Sequence, residues 1–117
     1  MLRKSILAIA LMLPLSGCGD DAQTIDCSMS TLSYNNFGSQ FMTDYCTSCH
    51  DTSVSGASRN FAPVGVNFDT LELVQNQSNR VNLRAGEGTG MPPSSASSQP
   101  SSAERDLLSE WIVCGTN

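Results

Sequence analysis

Apolar residues recur with a helical period in three stretches of the chain, and no stretch alternates apolar and polar residues as a strand does. The first stretch predicts a helix that begins near Ser33 or Asn35 and ends at Tyr45. Its apolar positions lie at i, i+4, i+5 and i+8: Phe37, Phe41, Met42 and Tyr45. The pattern therefore predicts an all-α fold.

The second stretch lies between Asp69 and Gly86. Asp69 and Glu72 predict a capped helix start, because Asp69 can accept from free backbone N–H groups while Glu72 reaches back to it. The helical period is carried by Leu71, Val74, Ser78 and Val81. Residues 76–79 are weak helix formers, so we expect two short helices with a break, ended by Gly86.

The third stretch is the last helix. Ser101 and Glu104 form a capping box that opens it, and it runs through Val113 to an end at Gly115. Its apolar stripe consists of Leu107, Leu108, Trp111 and Ile112.

Two irregular loops separate these stretches. Residues 51–68 predict an extended loop whose apolar side chains are candidates for lining a pocket: Phe61, Val64, Val66 and Phe68. Residues 86–93 form a second loop rich in glycine and proline, and a serine-rich connector over 94–102 follows it.

The first seventeen residues predict a targeting signal. Arg3 and Lys4 precede ten apolar residues over 6–15, a run too short to span a bilayer. Ser16 and Gly17 then stand before Cys18, which resembles a bacterial lipobox, whose cysteine becomes residue one and carries acyl chains. The alternative is an ordinary signal peptide with an incidental Cys18.

The lipobox resemblance implies a removed signal peptide over 1–17, a lipidated tether over 18–31 and one domain over 32–117. Two or more acyl chains anchor a protein firmly, so we expect membrane attachment through Cys18 in the cell envelope, facing the periplasm. In bacterial lipoproteins, Asp directly after the lipidated cysteine favours retention in the inner membrane. Gly19 stands at that position here, so the outer membrane is favoured over the inner one.

The domain has an unusually high net charge and few large apolar residues for a chain that folds. After residue 17 the chain has four arginines, no lysine and eleven acidic residues, so its formal charge is −7. Only 18 of these 100 residues are Leu, Ile, Val or Phe, and below roughly 20% a highly charged chain is normally disordered. The composition excludes a transmembrane bundle, a nucleic-acid binder with a basic face and a large enzyme. Either the chain does not fold, or something other than its side chains fills the core.

Cys46, Cys49 and His50 form a C-x-x-C-H motif, the spacing of c-type haem attachment. Two thiols three residues apart reach the two vinyl groups of one porphyrin, and the adjacent imidazole then lies under the iron. Three other uses of the cysteines stay open: a thioredoxin-like pair, a zinc site that includes Cys27 and Cys114, and two disulfides. The βαβ pattern of a thioredoxin is missing, and an oxidising compartment disfavours four free thiolates. We therefore predict one covalent haem c.

The second axial ligand is predicted by elimination. His50 is the only histidine, so the chain cannot supply a second imidazole. Of the methionines after residue 17, Met29 lies in a polar segment and Met42 lies one helical turn before Cys46, which is a packing position. Met91 stands in a loop between glycines and prolines, where a core-filling methionine is unusual. We predict Met91 as the thioether ligand.

The C-x-x-C-H motif and the Met-Pro loop together resemble a small class I c-type cytochrome, over residues 31–117. The resemblance implies a cytochrome c-like fold, with about four short helices wrapped around one covalently bound haem and crossing N- and C-terminal helices. It implies close contact between Gly38 and Trp111 at that crossing. It also implies that a carbonyl at Pro63 accepts from the free N–H of His50, which orients the ring and raises its basicity.

Cys27 and Cys114 are left over as an even pair, one near each end of the domain. In the implied fold the first and last helices bring these flanking segments together. We therefore predict a Cys27–Cys114 disulfide, with free buried thiols as the alternative.

The ligand set implies electron transfer, not catalysis, because an iron with both axial positions filled has no open site for a substrate. Two alternatives remain: a haem-based ligand or redox sensor in which Met91 detaches, and an electron-transfer subunit of a larger oxidoreductase complex. The expected partners are redox proteins, with a basic docking face complementary to the acidic surface, and the membrane through Cys18. Arg59, Arg80 and Arg84 are candidates to pair with haem propionates, with ordinary solvated arginines as the alternative.

Overall fold

Four α-helices and two π-helical turns make up most of the ordered secondary structure in a computed structural model, which describes residues 24–117. These residues contain no strand, so the predicted all-α class is confirmed for them. The predicted signal peptide and Cys18 lie outside the described residues. No helix within 24–117 has the length and hydrophobicity that crossing a bilayer requires.

The first helical stretch has the predicted bounds. A π-helical turn over Tyr34–Gly38 runs directly into α1, Ser39–Tyr45. Ser33 caps the turn, because its hydroxyl accepts from Asn36 N at 3.3 Å and its own N–H donates to Asn36 Oδ1 at 2.7 Å.

The second stretch divides as predicted into α2, Leu71–Asn76, and α3, Ser78–Val81, followed by a π-helical turn over Asn82–Gly86. The predicted cap at Asp69 is wrong: Thr70 is extended and its hydroxyl accepts from Leu73 N at 3.3 Å. The Asp69 carboxylate instead accepts from Thr52, from its hydroxyl at 2.7 Å and its N–H at 3.2 Å. A partner seventeen residues away therefore occupies the Asp69 carboxylate, and Thr70 supplies the cap.

The last helix, α4, covers Ser102–Val113 and begins at the predicted capping box. Glu104 N donates to Ser101 Oγ at 3.1 Å, and Ser101 N donates to Glu104 Oε2 at 2.8 Å. Gly115 follows the helix with φ +126°, a conformation that favours glycine at a helix end.

The core forms between the first helical stretch, the helical segment over 71–86 and α4. A Cβ atom built on Gly38 would lie 2.5 Å from Trp111 Cη2, so only glycine admits the indole at this distance. This is the contact that the sequence resemblance implied. Tyr34 and Phe37 also pack against the indole, with ring centroids 6.4 and 6.2 Å away. The buried apolar residues are Phe41, Met42, Phe68, Val74, Val81, Ala85, Leu108, Trp111 and Ile112.

Cys27 and Cys114 form the predicted disulfide. Cys27 begins a short 3-10 turn over Cys27–Met29, and Cys114 is the C-cap of α4. The bond therefore ties the segment that precedes the first helical stretch to the end of the last helix.

Candidate cofactor site

A cavity of about 610 Å³ opens between the end of α1, the 51–68 loop and the 86–93 loop. Cys46, Cys49, His50 and Met91 all line it. Its volume lies within the ~300–1,000 Å³ typical of cofactor and ligand pockets. The structure thus brings together the four residues that the sequence predicted as haem-binding.

The first three of these residues come from the tight turn that ends α1. Cys46 is the C-cap of the helix, and its carbonyl accepts from Cys49 N at 3.2 Å and from His50 N at 2.9 Å. These bonds return the chain on itself, so that the two thiols and the imidazole lie along one wall of the cavity.

The backbone partner of His50 differs from the prediction. His50 Nδ1 lies 2.8 Å from Val66 O, whereas Pro63 O accepts from Arg59 Nη2 at 2.7 Å. A carbonyl only accepts, so Nδ1 is the donor of this bond, and in the neutral imidazole the lone pair that a metal needs then lies on Nε2. The expected orienting bond is present, but its acceptor, Val66 O, is three residues further along the loop than predicted.

Arg59 organises the 51–68 loop from within. Its side chain is only 3% exposed, although it carries a charge. Its N–H groups are within 2.7–3.2 Å of six oxygens, those of the carbonyls of Asp51, Val54, Ala62, Pro63 and Val66 and of Asn67 Oδ1. These acceptors use every N–H of the guanidinium. Arg59 therefore has no donor left for a propionate, which removes it from the three predicted candidates.

Arg80 and Arg84 still have donors for haem propionates, since both are exposed and both line the cavity. They belong to α3 and the π-helical turn that follows it. Of the four arginines after residue 17, Arg59 and Arg105 are buried and donate to loop carbonyls. Arg80 and Arg84 are exposed at the cavity, which Arg59 also lines.

Met91 is held by its backbone rather than by burial. Its N–H donates to Arg84 O at 2.9 Å, and its carbonyl accepts from Arg105 Nη1 at 2.8 Å. Gly88 permits the close turn before it, because a Cβ there would overlap Leu83 O. The Met91 side chain lines the cavity and remains 37% exposed.

The apolar side chains expected around the pocket are only partly there. Val66 and Phe68 line the cavity, together with Val81, Ala85 and Pro92. Val64 is 80% exposed and is not among the lining residues, which corrects the prediction for it.

Phe61 lines the cavity from its mouth, where its side chain is fully exposed. Both Asn60 and Phe61 have positive φ, 48° and 68°, which Asn tolerates but which is costly for a bulky residue such as Phe61. Arg59 holds this segment, since its Nε donates to Ala62 O at 3.1 Å.

The state of the cysteines bears on the competing uses of the motif. Cys46 and Cys49 are not joined to each other, and Cys27 and Cys114 are already paired. Burial raises the pKa of the Cys46 thiol to about 12, whereas a thioredoxin-like nucleophile needs a lowered pKa. Within residues 24–117 no three His, Cys, Asp or Glu side chains come together as a zinc site would require.

The cavity is suited to a haem in the chemistry of its walls. Two thiols stand beside an imidazole whose Nε2 is free to ligate, a thioether lies on the same cavity, and the remaining lining is largely apolar. Two exposed guanidinium groups match the carboxylates that such a group carries. No family model, curated protein or solved structure matches the chain.

The sequence did not predict that Arg59 and Arg105 are buried and donate to loop carbonyls. A signal for Arg105 was present: it lies three and seven residues before Leu108 and Ile112, on the apolar stripe of the last helix. A charge on such a stripe is a buried charge with a specific set of partners. For Arg59 no comparable signal exists, because the 51–68 loop has no period.

Proposed function

We propose that this chain is an electron-transfer c-type cytochrome that holds one haem c, with thioethers to Cys46 and Cys49 and with His50 and Met91 as axial ligands. The observation that carries the proposal is that these four side chains line a single cavity, although Met91 comes 41 positions after His50. When bound, haem c supplies one-electron exchange at an iron whose axial positions are both filled.

Each ligand is positioned by the chain itself. The bond from His50 Nδ1 to Val66 O fixes the imidazole tautomer and increases the basicity of Nε2. The two backbone bonds of Met91 hold its loop at the cavity. Arg80 and Arg84 stand at the rim, where their charge would balance the propionates.

The anchored backbone of Met91 supports a carrier over a sensor with a detachable ligand. A sensor needs an axial position that opens easily, whereas here both polar groups of the ligand's backbone are bonded. Carbon monoxide distinguishes the two functions: we expect slow, weak binding to the ferrous protein at neutral pH. Rapid, complete binding would favour the sensor.

The finer assignments belong to the same proposal. The fold is that of a cytochrome c domain over 32–117, following a tether over 18–31 and a removed signal over 1–17. Lipid on Cys18 anchors the domain in the cell envelope, facing the periplasm, and its partners are redox proteins. Replacing Cys18 is expected to move the protein from the membrane fraction to the soluble fraction, and unchanged membrane fractionation would contradict the anchor.

A redox titration with absorption spectra tests the central assignment. We expect a covalent haem spectrum, a methionine–iron charge-transfer band in the ferric protein, and one reversible one-electron transition. In Met91→Ala the band should vanish and the potential should fall, since a thioether favours the ferrous state. Met29→Ala is the matched control, because Met29 is 81% exposed and does not line the cavity.

Two results would contradict the assignment. A wild-type protein without covalently bound haem would contradict the proposed cytochrome function altogether. A charge-transfer band that persists unchanged in Met91→Ala would place the sixth ligand elsewhere.

A further inference from the structure

Arg105 connects the last helix to the loop that carries Met91. Its side chain is 8% exposed. Arg105 Nη1 lies 2.8 Å from Ala85 O, 3.2 Å from Gly88 O and 2.8 Å from Met91 O. One guanidinium nitrogen thus contacts the helical residue that precedes the 86–93 loop, the middle of that loop and its Met91.

Gln99 extends this arrangement beyond the ligand. Arg105 Nη2 donates to Gln99 Oε1 at 3.3 Å, and Gln99 Nε2 donates to Pro93 O at 2.8 Å. The two side chains, which we call the Arg105–Gln99 clamp, therefore hold the backbone on both sides of Met91.

The acceptors of Arg105 are all neutral. A buried guanidinium is costly unless its N–H groups are hydrogen-bonded, and here backbone carbonyls and one amide supply the bonds. Ala85 O belongs to the last turn of the helical segment 78–86, and a helix C-terminus favours a cation. The charge is thus used to fix loop backbone, not to pair with a carboxylate.

Apart from the clamp, the loop is also held by the bond from Met91 N to Arg84 O at 2.9 Å and by the buried Pro92. Thr89, Gly90 and Pro93 are exposed, and segments with few buried contacts open at low free-energy cost. Arg105 is not among the residues that line the cavity, so any effect on a bound group passes through the loop.

The geometry points to Arg105 as a positioning residue for Met91: through the Arg105–Gln99 clamp it keeps the Met91 sulfur at the haem iron and disfavours its displacement by an outside ligand. This inference rests on the proposed function, in which Met91 is an axial ligand.

Imidazole binding to the ferric full-length holoprotein measures how strongly the clamp keeps Met91 in place. Imidazole reaches the iron only when Met91 has left, so its apparent affinity rises with the population of the open loop. We expect Arg105→Gln to bind imidazole at least about tenfold more tightly than wild type. Tenfold corresponds to ~1.4 kcal/mol, near the low end for one hydrogen bond to a charged group. Arg105→Lys keeps the charge but loses the planar fork, and its affinity should lie between the two.

Gln99→Ala keeps the test valid if Arg105→Gln does not yield holoprotein, because Gln99 is exposed and its replacement leaves the core intact. It should raise the imidazole affinity, by less than the Arg105 variants do. Leu108→Ala is the control for general destabilisation: Leu108 is fully buried on the same helix, but it is not part of the clamp. Below its unfolding temperature its imidazole affinity should equal that of wild type.

Failure of the clamp and failure of the proposed cytochrome function give different results. Wild-type affinity in both Arg105→Lys and Gln99→Ala overturns the clamp, and so does an equal rise in Leu108→Ala. A wild-type protein that lacks the covalent haem or the methionine–iron band overturns the proposed function instead.

Discussion

The contact between Gly38 and Trp111 allows a quantitative prediction for Gly38→Ala. Gly38 has φ −60° and ψ −45°, which alanine adopts freely, so the backbone alone would gain about 0.4–1 kcal/mol. Against this, the new Cβ would lie 2.5 Å from both Trp111 Cζ2 and Cη2, about 1 Å inside normal contact of ~3.5 Å. Overpacking of this kind costs about 1–3 kcal/mol.

The indole has little room to relieve this overlap. Trp111 is 1% exposed, and its Nε1 donates to Asn117 O at 3.2 Å. Tyr34 and Phe37 pack against its ring. Taking the middle of the overpacking range less the middle of the backbone range, we expect a net destabilisation of about 1–2 kcal/mol. In a domain of this size that lowers the midpoint of thermal unfolding by roughly 5–15 °C.

Thermal unfolding followed by circular dichroism checks the prediction with two comparisons. Gly65→Ala is the control, because nothing lies within 4 Å of its Cβ, and its midpoint should stay the same or rise. In a Trp111→Phe background the atoms that overlap the new methyl are absent, so Gly38→Ala should cost less there. An unchanged midpoint in Gly38→Ala, or the same loss in both backgrounds, would refute the steric account.

Three further predictions concern the rest of the domain. Cys114→Ser opens a disulfide between residues 87 positions apart, worth up to about 4–5 kcal/mol in the chain-entropy model; its urea midpoint should fall, and an equal midpoint would contradict a stabilising bond. Hydrogen bonds from Ser101 N–H and then Tyr45 Oη lower the pKa of Glu104 below its ordinary 4.5. The carboxylate therefore stabilises the fold above that pH, and the stabilisation disappears as the pH falls through the lowered pKa. The difference in free energy of unfolding between wild type and Glu104→Gln should be largest near neutral pH and should disappear in acid. A difference that is the same at every pH would refute this role of the carboxylate. Finally, the chain produced without haem attachment should be largely unfolded by circular dichroism, since 18 Leu, Ile, Val and Phe residues in 100 bury too little surface to offset the ordering entropy; cooperative unfolding of that chain would contradict the account.

The elements with local signals were predictable from the sequence. The capping box of Ser101 and Glu104, the glycine that ends α4 and the break between α2 and α3 lie where the sequence places them. Each depends on residues within one helical turn, so the sequence contains all the partners. The cap at Asp69 was wrong for the opposite reason, since its partner Thr52 is remote along the chain.

For the candidate site, the sequence by itself determined the chemistry: a C-x-x-C-H motif, one histidine and one methionine in a glycine–proline loop define which atoms are available. Only the tertiary structure decided how those atoms are held. It placed Val66 O opposite His50, gave the donors of Arg59 to loop carbonyls, and brought Arg105 to the Met91 loop. The physical reason is that a backbone carbonyl looks the same at every position in a sequence. Which carbonyl meets a buried donor depends on how two distant segments pack, and no local pattern encodes that.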